Sequence, residues 1–182
     1  MENKQHEIAV YNEWGKLRTA FVGIAPDSMV EPEYMPEFRW MGEEGIEFTK
    51  KYGGQKSIDI FPEKMAQLKK EIDGFADLLI HKGVTVHRNI PLRYSEEEHY
   101  LDNTQKGLVI NGGADFFLVI GQNVILLNNL RYPFRRKQIY SVRPILEPLL
   151  KDSGARYVAM PPASPHYDPT DPYLERGDVM ID

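Results

Sequence analysis

The sequence predicts a mixed α/β fold. Three observations carry this. A long amphipathic helix pattern runs from about Pro62 to Lys82, between two β-branched strand patterns. The apolar runs Phe116–Ile120 and Val124–Leu127 are joined by Gly121-Gln122-Asn123, good hairpin material. A second helix pattern then leads to another strand, so the chain mixes hairpins with helical crossovers.

The chain opens with a turn at Trp14-Gly15, followed by a strand over residues 17–24, LRTAFVGI. Residues 26–58 are rich in Pro, Gly, Glu and aromatics and have no clean period. They read as a long loop with at most a short helix. Tyr and Trp residues within 32–52 are read as core packing or a lid, with a pocket lining as the alternative.

In the long helix, Pro62 suits the first position because its missing N–H would be unpaired there anyway. Met65, Leu68, Ile72, Phe75, Ala76 and Leu79 form one apolar stripe. Gly83 supplies a left-handed stop, and Val84-Thr85-Val86 starts a strand. Residues 93–106 are polar and read as a loop or short helix. Leu108-Val109-Ile110, Phe116–Ile120 and Val124–Leu127 read as buried strands. The second helix is expected from about Phe134 to Leu150, with Pro144 and Pro148 kinking or shortening it. A strand follows over Arg156–Met160. Residues 161–172 are irregular, and Val179-Met180-Ile181 is a last short strand.

The chain has 182 residues, 42 % of them apolar, and a net charge of −5. That length makes one ordinary domain with a real core. The acidic balance argues against nucleic acid, whose phosphates are held by Lys and Arg. No apolar run approaches a membrane span, and no secretory signal is visible. Cysteine is absent, which removes disulfides, thiolate metal sites and a thiolate nucleophile and fits a cytoplasmic protein. The histidines His6, His81, His87, His99 and His166 have no metal-ligand spacing, so no metal is expected.

Four segments together resemble the amidinotransferase family. They are Tyr11-Asn12-Glu13-Trp14-Gly15-Lys16-Leu17 with Val22-Gly23, then Phe61-Pro62-Glu63 leading to Lys82-Gly83-Val84-Thr85-Val86. The third runs from Ala114-Asp115 through Phe117–Ile125 to Leu130-Arg131-Tyr132-Pro133-Phe134-Arg135-Arg136. The last is Leu174-Glu175-Arg176-Gly177-Asp178-Val179. The resemblance implies a five-bladed α/β-propeller of ββαβ units, pentein-like, of which residues 1–182 form a truncated N-terminal portion. Family members use a Cys nucleophile and a His base in the C-terminal half, which would account for the missing cysteine. Gly113-Ala114 stand before Asp115 where the family commonly has Arg, and Arg176 replaces a usual small residue. These departures leave the substrate open.

Arginine-processing chemistry wants carboxylates along the edges of the planar guanidinium. Asp115 and Asp178 each precede an apolar strand, and the resemblance makes them the residues that anchor the substrate in catalysis. Glu175 is the other acidic group of the last motif, which can be registered on either residue. Acidic residues at strand starts also form ordinary turns. Arg131 and Arg135, with Arg136, suit a grip on a substrate carboxylate or phosphate; a solvated, salt-bridged face is the plainer reading.

The expected function is transfer of the amidino group of arginine to an acceptor amine through a Cys-bound intermediate formed in the full-length enzyme. No cofactor is required, and this chain alone should be inactive. A hydrolase or deiminase of the same fold is one rival. The other is a non-catalytic half-protein that binds a guanidino compound or pairs with another chain. The expected partners are a small-molecule substrate and either a second copy or a C-terminal half.

Overall fold

A computed structural model describes residues 8–25, 30, 42–91, 98–100, 103–105, 116–127, 137–151 and 153–161. Strand β1 (Thr19–Val22) is followed by helices α1 (Gly42–Tyr52), α2 (Ser57–Ile60) and α3 (Pro62–His81) and strand β2 (Thr85–Arg88). Strands β3 (Glu98–Tyr100) and β4 (Asn103–Gln105) form a hairpin. Then come β5 (Phe117–Ile120), β6 (Asn123–Leu126), a 3-10 turn (Lys137–Ser141), α4 (Arg143–Lys151) and β7 (Arg156–Ala159).

β1 and β2 pair in parallel, with Thr19 opposite Thr85 and Val22 opposite Arg88. In the three-stranded sheet β5 and β6 are antiparallel while β6 and β7 are parallel across α4. That is a ββαβ unit, read from local signals: two strands four residues long, a two-residue Gly121-Gln122 loop, then a helical crossover. Gly121 adopts φ +53°, the positive region that such tight hairpins require. Its backbone also pairs with Val10, through bonds of 2.7 and 3.0 Å.

Helix α3 ends as expected. Gly83 sits at φ +80°. The Val84 N–H donates to the Leu79 carbonyl and the Gly83 N–H to the Ile80 carbonyl. These two bonds form a Schellman stop, which satisfies carbonyls the helix would otherwise leave open. Met65 and Ala76 are buried on the expected stripe, but Phe75 is 54 % exposed and does not belong to it. Its position lies between the buried stripe and the outer face, where Leu78 is exposed too.

Three expectations are corrected. The tract 26–58 contains helix α1 and the start of α2. They are held by an aromatic group, Phe48, Tyr52 and Phe61, with ring centroids 5.1–5.7 Å apart. So Tyr52 serves packing. Residues 98–105 hold a polar hairpin rather than a loop or helix. Within the helix expected from Phe134 to Leu150, Lys137–Ser141 form a 3-10 turn and α4 begins only at Arg143, while residues 134–136 lie outside the described residues. Pro144 accounts for the restart, since it cannot donate inside a helix but is tolerated in its first turn. The strands expected at 108–110 and 179–181 and the irregular tract beyond 161 lie outside the described residues.

The main core lies between β5, β6, the 3-10 turn and α4. Phe116, Val124, Leu126, Leu127, Ile139, Val142, Leu146 and Leu150 are buried in one cluster. Each such side chain contributes about 1.5–3 kcal/mol by leaving water. No helix among the described residues is long and apolar enough to cross a membrane.

Candidate functional site

Four segments converge at one end of the fold: the carboxyl ends of β1 and β2, the start of β5, and the 3-10 turn. Phe21 of β1 meets Phe117 of β5 edge to face at 5.1 Å, and His87 of β2 at 5.3 Å. The Phe116 carbonyl accepts from the Leu127 N–H at 2.9 Å, which fixes the start of β5. The carboxyl ends of parallel strands are the usual ligand side of open α/β sheets.

Arg88 ends β2 and closes this corner. Its guanidinium donates to the Val22 carbonyl at 3.1 Å and the Gly23 carbonyl at 2.8 Å. It also pairs with Asp73 of α3 at 2.9 Å. Asp73 takes Lys69 as well, at 2.6 Å. The Lys69 hydrogen bond, then that of Arg88, holds the Asp73 carboxyl below its usual value of 3.8. One planar fork thus ties strand to strand and strand to helix.

Asn89 follows and is 4 % exposed. Its Nδ2 donates to Ser141 Oγ at 3.0 Å, and the Ile90 N–H donates to the Ser141 carbonyl at 2.8 Å. Side chain and backbone together pin the exit of β2 to the 3-10 turn. No donor among the described residues reaches Asn89 Oδ1, which is buried.

Asp115, Glu175, Asp178, Arg131, Arg135 and Arg136 lie outside the described residues. Their nearest described neighbours along the chain are informative. Asp115 precedes the fully buried Phe116, and Arg136 precedes the 3-10 turn. Both neighbours belong to the convergent end. Asp73, Arg88 and Asn89 were not singled out from sequence. Lys69 and Asp73 have helical spacing, which signals an exposed pair, but the reach of Arg88 to β1 has no local signature. Among the described residues no group of three or more acidic or histidine side chains could hold a metal.

The opening Asn12-Glu13-Trp14-Gly15 has a physical basis. Asn12 Oδ1 accepts from the Trp14 N–H at 3.2 Å, and a side chain at Gly15 would meet that oxygen at 3.0 Å. The turn leaves Trp14 75 % exposed.

No protein-family model matches the chain. It is 28 % identical over 155 residues to a protein named glycine amidinotransferase, mitochondrial, from Danio rerio, across 85 % of this chain and 35 % of that protein. The equivalent from Xenopus tropicalis is 26 % identical over the same shares. The chain therefore spans about a third of the length of these curated relatives. Among solved structures it resembles SxtG, an amidinotransferase from Microseira wollei in the saxitoxin biosynthetic pathway. The TM-score is 0.74 at 25 % identity, over 85 % of this chain and 43 % of that one. It shares the fold of the inosamine-phosphate amidinotransferase StrB1 from Streptomyces griseus, with a TM-score of 0.72 at 22 % identity over 91 % of this chain and 47 % of that one. In sequence the chain is thus similar to named glycine amidinotransferases, and in backbone to solved amidinotransferases.

Proposed function

We propose that this chain is the N-terminal part of an arginine-dependent amidinotransferase built on a five-bladed ββαβ propeller. The observation that carries this reading is kinship to named glycine amidinotransferases over 85 % of the chain. The ββαβ order of β5, β6, α4 and β7 supports the architecture.

In this reading Asp115 and Asp178 anchor and orient the guanidinium, with Glu175 beside them, and Arg131 and Arg135 grip the substrate carboxylate. A thiolate supplied from outside these 182 residues attacks the guanidino carbon. The bond to the departing nitrogen breaks, and ornithine leaves with a proton on that nitrogen. The acceptor amine then attacks the same carbon, loses a proton, and releases the thiolate. The protein contributes position and charge, which are the large terms in such chemistry. No step calls for a cofactor.

The test is titration of L-arginine against the chain, with ornithine and urea as controls. Binding of arginine in preference to both is expected, since only arginine carries a guanidinium. Equal binding of all three, or none, overturns the reading.

A further inference from the structure

We infer that the turn Tyr11–Leu17 is a docking surface for a second copy of this chain, with Trp14 as its apolar anchor. This goes beyond the proposed function and does not depend on it.

The turn is held at both ends. Val10 exchanges two backbone bonds with Gly121, of 2.7 and 3.0 Å, and the Arg18 carbonyl accepts from the Thr85 N–H at 2.9 Å. Inside it, Asn12 Oδ1 accepts from the Trp14 N–H, and a side chain at Gly15 would crowd that oxygen. Yet this fixed segment presents its large apolar groups to water. Trp14 is three-quarters exposed, and Tyr11 and Leu17 are each more than half exposed. The Tyr11 ring lies against the hairpin at Gly121, beside the exposed Ile120. Such a group of apolar side chains marks an interaction surface, and Trp and Tyr are the anchors that interfaces use most.

The charges say which partner. Glu13 and Lys16 stand on either side of Trp14 in the turn, and both are exposed. No ion pair among the described residues engages either of them. In a two-fold contact, one residue meets a second on the partner, and that second meets the first in return. Glu13 of each copy then faces Lys16 of the other, on either side of the tryptophans, so the patch is complementary to itself. Opposite signs at the rim also fix the register and offset the repulsion between two chains of net charge −5. The turn enters β1 at its amino end, whereas the candidate site gathers at the carboxyl ends of β1 and β2. A second copy seated on the turn leaves that site open. The patch is small, so the dimer belongs to the weak class, with a dissociation constant on the order of 1–100 μM.

Sedimentation velocity of the chain across and above that concentration range tests this, with circular dichroism as the check on folding. The parent should pass from monomer to dimer as its concentration rises. Trp14→Ala should raise the dissociation constant by about tenfold or more and keep the parent's spectrum, since an exposed ring adds little to the fold. Glu13→Lys alone and Lys16→Glu alone should each stay monomeric where the parent is dimeric, because each sets like charges opposite one another. Mixed in equal amounts, the two should associate, since every contact between them again joins opposite charges. A parent that is monomeric throughout leaves the turn to a different polypeptide and overturns the inference. A folded Trp14→Ala that dimerises as the parent does overturns it as well. Should Trp14→Ala fail to fold, the charge swaps decide: single swaps as dimeric as the parent, or a mixture no more associated than its components, overturn it.

Discussion

Charge, more than shape, is what Asp115 is proposed to supply. Asp115→Asn keeps the outline of the side chain and one acceptor oxygen but loses the negative charge. A charge-assisted bond is worth about 1.5–3 kcal/mol, so arginine affinity should fall roughly 10- to 100-fold, with the melting temperature little changed. Equal affinity for both forms would make Asp115 a turn former. Asp73 gives a second prediction, of opposite character. Its folded pKa is lowered from 3.8 by Lys69 and Arg88, so its stabilisation is present above 3.8 and is lost as the pH falls through the lower folded value. Asp73→Asn should unfold more readily than the parent at neutral pH, and the gap should close in acid. The carboxylate is 42 % exposed, so water screens the pair and the gap is small. Urea unfolding of both proteins at neutral and acidic pH measures it; a gap independent of pH removes the ion pair as the cause. These two aspartates also show what a sequence can disclose. Asp115 announces itself by standing before an apolar strand. Arg88 and Asn89 do not, because their partners Val22 and Ser141 lie 66 and 52 positions away.

Helix α4 is held by its buried face. Leu146 is 3 % exposed within the main cluster, whereas Arg143 and Glu147 pair on the outer side. Leu146→Ala should cost about 2–5 kcal/mol, because the vacated volume is only partly refilled. At roughly 2–4 °C per kcal/mol for a chain of this size, a calorimetric melt would show it plainly. A loss below about 1 kcal/mol would mean that the cluster is loosely packed. Elements specified by local chemistry were readable beforehand. The Gly83 stop, the Gly121 hairpin and the period of α3 each depend on neighbours within a few residues. Elements specified by distant packing were not. α1 is rich in charge and gains its place through Phe48 and Tyr52 against Phe61. The β3–β4 hairpin has polar strands with no apolar alternation, so only its backbone pairing defines it. Phe75 fits the helical period yet faces out, since period places a residue on a stripe but does not set the stripe's width.

The order of strands and helices carried the family resemblance further than any single motif did. Segment order is what sequence retains at 28 % identity, and it agrees with a backbone match of TM-score 0.74. Closure into a propeller is a property of many distant contacts and has no local signal. The chemistry divides along the same line. In the proposed chemistry the carboxylates that would hold a guanidinium are among these residues, while no cysteine is among the 182. Amidino transfer through a covalent intermediate needs a group that adds to the guanidino carbon and later departs, and a thiolate does both. Carboxylates that grip the guanidinium from its edges stabilise its charge without supplying that electron pair. The purified chain should therefore release no ornithine from arginine and move no amidino label to an acceptor amine, even where it binds arginine. Label transfer above a heat-denatured control would show that another side chain acts as nucleophile. The division of binding and bond-breaking between this chain and a thiolate from elsewhere would then be wrong.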